Sequence, residues 1–162
     1  MNSPKLKQAY LRNIAMPAWC SRLMINLWPP MIGAGIHVEH IAADYSEARV
    51  RMRHSVLNSN LFGTHFGGSL YSMCDPFFMF LLMQNLGEGY IVWDKAATID
   101  FIKPGTGTVT ARFHIPEAEF VNLRSELGKT KKLDRIYVCE VTDEKGDVVA
   151  RMSKTLYIRR MR

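Results

Sequence analysis

The chain has 162 residues, of which 48% are hydrophobic and 22% are charged, and its formal net charge is +6. This length and composition predict one domain with a substantial core, and the sequence contains no internal repeat or low-complexity tract. The positive charge permits an anionic partner, but charge alone does not distinguish the phosphates of a nucleotide-like group from nucleic acid.

The start of the sequence does not resemble a secretory signal, and the longest apolar run, residues 77–83, is too short to span a membrane. We therefore expect a soluble, cytoplasmic protein. Cys20, Cys74 and Cys139 are odd in number and widely spaced, which favours reduced core thiols over disulfides. The histidines show no recognisable metal-ligand spacing, so we expect no metal site.

The first third of the chain predicts a helical leader followed by a β-hairpin. Residues 5–27 combine basic and apolar positions at helical spacing, with Pro17 as a break and prolines 29 and 30 as the end. A helix on the outside of the core is the commoner form of this pattern, and a membrane-surface helix is the alternative. Residues 36–41 and 48–56 have the composition of strands. The second strand carries Arg49, Arg51 and Arg53 on one face, which indicates either a solvated surface or a row that meets phosphates.

The second half of the chain predicts four strands and one helix. The strands are residues 90–102, 108–115, 133–142 and 148–159, and the helix is residues 116–127 with Gly128 as its terminator. In a regular strand Asp94 and Lys95 point to opposite faces, so we do not expect them to pair with each other.

A glycine-led helix over residues 67–86 lies between these two halves, and its apolar residues cover most of its sides. Asp75 is its only residue of ordinary acidity. A carboxylate in such surroundings must find partners or shift its pKa, which makes Asp75 a functional-site candidate. Pro76 would kink this helix. In the alternative interpretation Asp75 caps a shorter helix that begins at Pro76, and Gly67 and Gly68 lie in a loop.

The order of elements predicts an α+β fold in which one six-stranded antiparallel sheet wraps around the central helix. At this point the sequence, over about residues 36–158, resembles the hotdog fold and, within it, the phenylacetyl-CoA thioesterase-like branch of the acyl-CoA thioesterases. That branch places Asn or Gln six residues before a His-Gly-Gly triplet and a catalytic acid nine residues after the histidine. Asn60, the triplet at residues 66–68 and Asp75 have this spacing. Phe66 replaces the histidine, His65 precedes it, and residues 93–97 and 104–107 look more like an uncharacterised thioesterase-like subfamily.

The resemblance implies a single hotdog domain over residues 1–162, with a helical leader at 1–34 and the hotdog core at 35–162. It further implies hydrolysis of an acyl-CoA thioester, with coenzyme A as part of the substrate and no separate cofactor. Asp75 would be the base or nucleophile, the backbone N–H of Gly67 the oxyanion donor, and Asn60 would orient the carbonyl or the water. Gly68, His65 and Phe66 would contact the substrate.

The same resemblance implies a homodimer or a dimer of dimers, that is, a homotetramer. Gly67 and Asp75 are eight residues apart, which is about 12 Å along a continuous helix, so one subunit alone does not bring both to one thioester carbon. Two helices lying antiparallel across a two-fold axis would place Gly67 of one subunit opposite Asp75 of the other.

Three alternatives remain open from the sequence. A non-catalytic acyl-CoA or fatty-acyl binding module would use the same apolar slot, a nucleic-acid or membrane-binding protein would use the basic leader, and His65 permits a dehydratase-like activity. The acyl chain is not determined. If coenzyme A binds, its phosphates would meet some members of a basic set: Arg49, Arg51, Arg53, Lys103, Lys129, Lys131 and Lys132.

Overall fold

The computed structural model describes residues 16–161. Its strands are β1 (Ile36–Ile41), β2 (Glu47–Arg53), β3 (Tyr90–Phe101), β4 (Thr108–His114), β5 (Lys132–Asp143) and β6 (Val148–Arg160). Its helices are α1 (Ala18–Asn26), α2 (Pro29–Ala34), α3 (Gly67–Ser72), α4 (Phe77–Leu86) and α5 (Glu117–Thr130). No helix within residues 16–161 is long and apolar enough to cross a membrane.

The strands form one six-stranded sheet in the order β1-β2-β4-β5-β6-β3, and every pair is antiparallel. This confirms the predicted sheet. The prediction that Gly128 ends α5 was wrong, because α5 continues to Thr130 and the backbone reverses at Lys131, whose φ is 63°. The N–H of Lys131 donates to the carbonyl of Leu127 at this reversal. This hydrogen bond satisfies one of the carbonyl groups in the last turn of the helix.

The central helical element occupies the predicted residues, and a turn at residues 73–76 divides it into α3 and α4. Pro76 has no N–H to donate and disfavours helical geometry at the residue before it, which explains the interruption at Asp75. The capping alternative is wrong. Pro76 itself precedes the first residue of α4, no side chain caps that helix, and Gly67 and Gly68 open α3 instead of lying in a loop.

The core lies between α4 and one face of the sheet. The helix packs against β2, β3 and β4, and five of its side chains are buried: Phe77, Phe78, Leu81, Leu82 and Leu86. The ring of Phe77 stacks on that of Phe113 with centroids 4.9 Å apart, and the ring of Phe78 meets the same ring edge-on at 5.3 Å. Because apolar neighbours surround α4, its sequence is apolar on most sides.

The sheet has a seam between β4 and β5. These strands pair only at their ends, where Val109, Thr110 and Ala111 face Asp143, Thr142 and Val141. The remainder of β5 pairs with β6 alone. Helix α5 packs against β5, β6 and α4, and it buries Phe120, Leu123 and Leu127.

The described part of the leader packs outside the sheet, as predicted. Helix α1 lies against β1, and the Asn26 side chain bonds both the N–H and the carbonyl of Val38 at 2.7 and 3.0 Å. The helical piece predicted before Pro17 lies largely outside the described residues.

Candidate functional site

The turn between α3 and α4 places Asp75 in contact with Lys154 of β6. Lys154 is completely buried. Its Nζ lies 2.7 Å from Oδ1 of Asp75 and 3.0 Å from Oδ2 of Asp94, and it also donates to the main-chain carbonyl of Asp75. One ammonium group is therefore held between two carboxylates.

The position of Lys154 in β6 explains both its burial and its need for partners. Successive inward-facing residues of this strand are buried and, except for Lys154, apolar: Ala150, Met152, Lys154, Leu156 and Ile158. Moving an ammonium out of water into such a row is strongly unfavourable unless opposite charges accompany it. Asp75 and Asp94 supply those charges.

The two oxygens of the Asp75 carboxylate have different surroundings. Oδ1 accepts hydrogen bonds from Lys154 and, at 2.8 Å, from the hydroxyl of Tyr71. Burial, reinforced by the bond to Asp75, raises the pKa of Tyr71 to about 12, so this hydroxyl remains a donor at neutral pH. Oδ2 makes no hydrogen bond with residues 16–161, and the Asp75 side chain is 41% exposed. One oxygen is anchored and the other is available.

Asp94 completes this cluster from the edge strand β3. Burial raises the pKa of its carboxyl group, and the neighbouring Lys154 opposes that shift. Its Oδ1 is buried without a hydrogen-bond partner among the described residues. A bulge between Asp94 and Ala96 interrupts the pairing of β3 with β6. Lys95 pairs with Asp134 of β5, so the expectation that Asp94 and Lys95 do not pair is confirmed.

A second part of the predicted site lies at the start of α3. The backbone N–H groups of Gly67 and Gly68 have no acceptor among residues 16–161. A Cβ atom on Gly67 would lie 2.9 Å from the ring of Phe101, so a larger residue there requires that ring to move. Beside Gly67 is an open groove of about 720 Å³, lined by Val56, Ser59, Asn60, Leu61, Phe62, Phe66 and Gly67.

The Asn60 amide is engaged within its own loop. Its Oδ1 accepts the N–H groups of Phe62 and Thr64 at 2.9 and 3.1 Å, and its Nδ2 donates to the Thr64 hydroxyl at 2.8 Å. Asn60 thus shapes the loop that forms one wall of the groove.

His65 is buried and pairs with Ser59, a residue that lines the groove. Its Nε2 is 3.0 Å from the carbonyl of Gly107, and its Nδ1 is buried without a partner in the described part of the chain. Burial lowers the pKa of this imidazole. The ring also meets the His54 ring at 4.9 Å.

The structure does not bring Gly67 and Asp75 together within one chain. Gly67 lies next to the ring of Phe101, and Phe101 is paired with Ala150 of β6. Asp75, in contrast, contacts Lys154 of β6. Ala150 and Lys154 are four residues apart on one strand, a separation of about 13 Å at roughly 3.3 Å per residue.

The seven predicted phosphate-binding residues are divided between two environments. Arg49, Arg51 and Lys103 lie 3.6, 3.2 and 2.7 Å from carboxylates of Glu47, Glu39 and Asp143. The other four make no ion pair with residues 16–161.

Three of those four unpaired residues lie where α5 meets β5. Lys132 there faces Arg159 across the β5–β6 ladder, and the Arg160 N–H donates to the Lys131 carbonyl at 2.9 Å. We call this cluster the basic end: Lys129, Lys131, Lys132, Arg159 and Arg160.

Sequence reasoning missed Lys154, Tyr71 and the role of Asp94. The signal for Lys154 was a single charge in the apolar register of a strand that otherwise alternates regularly. Tyr71 precedes Asp75 by one helical turn, the spacing at which side chains meet.

This arrangement of a curved antiparallel sheet around a central helical element is the hotdog fold. Among solved structures, a Pseudomonas aeruginosa protein of unknown function, PA5026, described as a probable thioesterase, matches with a TM-score of 0.82 and 20% identity, over 90% of this chain and 97% of its own. The thioesterase HI1161 of Haemophilus influenzae matches with a TM-score of 0.66 and 14% identity, over 93% and 96%. The Escherichia coli PaaI protein of the phenylacetic acid degradation operon matches with a TM-score of 0.59 and 22% identity, over 90% and 94%.

A family model described as "Domain of unknown function (DUF4442)" matches residues 17–158. The protein belongs to this family. A comparison with curated proteins found no match.

Proposed function

We propose that this protein hydrolyses acyl-CoA thioesters, with Asp75 as the catalytic base or nucleophile. The supporting observation is the asymmetry of the Asp75 carboxylate, in which Oδ1 is held by two donors and Oδ2 is unbonded. A positioned and accessible carboxylate oxygen can take a proton from water or attack a carbonyl carbon. The likeness of the fold to proteins described as thioesterases agrees with this chemistry.

In the base mechanism, Asp75 removes a proton from water while the water oxygen attacks the thioester carbon. The carbonyl oxygen gains negative charge, which the N–H of Gly67 stabilises. The C–S bond then breaks, and the departing thiolate takes the proton from Asp75, giving a carboxylic acid and a free thiol. Because α3 has only six residues, the N–H itself contributes more here than a helix macrodipole.

The acyl group binds in the groove beside Gly67, where Phe66 and the loop shaped by Asn60 form the walls. Gly68 lies against the ring of Phe66, which is one of those walls. His65 pairs with Ser59 at the start of that loop and connects it to the turn before β4 through its bond to Gly107. The walls of the groove are largely apolar and open, which suits a hydrophobic acyl or aryl group.

The working site requires two subunits. Within one chain Gly67 contacts Phe101, which is paired with Ala150, and Asp75 contacts Lys154. Ala150 and Lys154 are about 13 Å apart along β6, too far for one thioester to meet both contact points. Strand β3 is an edge of the sheet, and Phe101 on it is 57% exposed beside Gly67. Pairing of two chains across a two-fold axis at this edge would place Gly67 of one chain near Asp75 of its partner.

The coenzyme A phosphates bind at the basic end. Lys132 and Arg159 face each other without an intervening carboxylate, and such like-charged pairs are unfavourable unless an anion neutralises them.

The test is hydrolysis of a panel of acyl-CoA esters followed by complementation between damaged subunits. Wild-type protein should release free thiol, and Asp75→Asn should reduce kcat by at least about 100-fold, since it removes the reacting group. Mixing folded Asp75→Asn and Gly67→Pro chains should restore one intact site per hybrid dimer while each parent stays inactive. Tight binding of acyl-CoA without hydrolysis would favour the non-catalytic binding module. Inactive verified hybrids, or a fully active monomer, would contradict the shared site.

A further inference from the structure

We infer that Lys154 is a positioning residue, which holds Asp75 so that Oδ2 is the reacting oxygen. This inference rests on the proposed function. The ammonium contacts Asp75 at two points, its side-chain Oδ1 and its main-chain carbonyl, and thereby fixes both the carboxylate and the turn that carries it.

Lys154 cannot itself act on the substrate. Its side chain is completely buried, so its ammonium group is not accessible to a substrate. Its effect must therefore pass through Asp75. With Lys154 and Tyr71 both bonded to Oδ1, rotation that exchanged the two oxygens would break two hydrogen bonds.

Asp94 contacts the same ammonium through its Oδ2, at 3.0 Å. It balances the buried charge and fixes Lys154 between helix and sheet. Without Lys154, two carboxylates would face each other at the edge of the core, so Asp75 would turn away from Asp94 toward water.

A double-mutant cycle between Lys154 and Asp75 tests this role. Lys154→Met is unbranched like lysine but lacks the ammonium group, and it suits the apolar row. It should lower kcat about 100-fold, the scale of loss caused by misplacing a reacting group, while KM changes less than about threefold. In an Asp75→Asn background the same substitution should cause no further loss, because residues that act as a unit are not additive. Lys95→Met, which breaks the exposed pair with Asp134, is the matched control and should retain wild-type kcat.

Lys154→Gln, which retains a neutral donor, replaces Lys154→Met in the cycle if the methionine variant does not fold. A second readout does not depend on activity. The protons of a buried ammonium exchange slowly with water, so its ¹⁵Nζ resonance can be observed by NMR. The resonance of Lys154 should shift in Asp75→Asn but not in Lys95→Met. Losses that simply multiply in the cycle, or an unchanged resonance, would overturn the positioning role. A wild-type protein that hydrolyses no thioester, despite a shifted resonance, would overturn the proposed function and leave the contact itself established.

Discussion

The imidazole of His65 is bonded at one nitrogen and has no partner at the other among residues 16–161. Because a carbonyl can only accept, Nε2 carries a proton and donates it to Gly107. Protonation would place a second N–H in a buried position without an acceptor, which agrees with the lowered pKa of the ring.

The free energy of unfolding should therefore fall as the pH drops. The unfolded chain takes up the proton first, near the ordinary histidine pKa of about 6.5, and the folded state follows at its lower pKa. Stability is lost between these two values and is fully present above them. Urea unfolding at pH 7.5 and 5.5 should show a smaller pH-dependent loss for His65→Gln than for wild type. Identical pH profiles for wild type and His65→Gln would contradict the argument.

Lys154 and Asn60 illustrate which single residues can be predicted. Asn60 and Asp75 were found because a family spacing connects them along the sequence, although the spacing did not reveal that the Asn60 amide is engaged in its own loop. Lys154 lies 79 residues from Asp75, and their contact depends on how a helix crosses the sheet. No local pattern contains that information.

Helix α4 is the element on which the fold depends most directly. Phe77 is fully buried and stacks on Phe113 of β4, so its ring joins helix to sheet. Phe77→Ala should lower the free energy of unfolding by about 3–5 kcal/mol, since it removes a large buried side chain and leaves a cavity. Chemical denaturation would measure this loss. Phe62→Ala is the matched control, because Phe62 is 90% exposed, and a similar cost for both would show that Phe77 does not anchor the core.

The strands were predictable because apolar and polar residues alternate along them, as in β4, where Val109, Ala111 and Phe113 are buried and their neighbours are exposed. The ends of α3 and α5 were not. Helix α5 continues past Gly128 and ends where Lys131 adopts a left-handed backbone conformation. An exposed lysine gives no sequence signal for that conformation.

At the scale of the whole molecule, the paired and unpaired basic residues are unevenly distributed. The basic end gathers five cations that have no acidic partner in the described part of the chain, whereas Arg49, Arg51 and Lys103 are paired with acids. The proposed contact with coenzyme A therefore predicts a local effect of charge reversal at this end.

The double variant Lys132→Glu/Arg159→Glu should raise KM for an acyl-CoA by about 10-fold or more, because it replaces attraction to phosphate by repulsion. The matching acyl-N-acetylcysteamine thioester, which has no phosphate, should keep its KM. The wild-type KM for acyl-CoA should rise with ionic strength. Lys145→Glu, at the tip of the β5–β6 turn, serves as the control. An equal change in KM for both substrates would show that the coenzyme A phosphates do not bind at the basic end.

The seam between β4 and β5 divides the sheet into two blocks of three strands. Only three residue pairs join the blocks directly, and α5 packs over β5 and β6 on one side of the seam. Strands within a block share long hydrogen-bonded ladders, so each block should open as a cooperative unit, while the seam opens at lower free energy. Native-state amide exchange should accordingly sort the sheet into two sets of protection factors, one for β1, β2 and β4 and another for β3, β5 and β6. Lys154 and Asp94 both lie in the second block, on β6 and β3. The ion pair between them should therefore stay intact when the hydrogen bonds between β4 and β5 open.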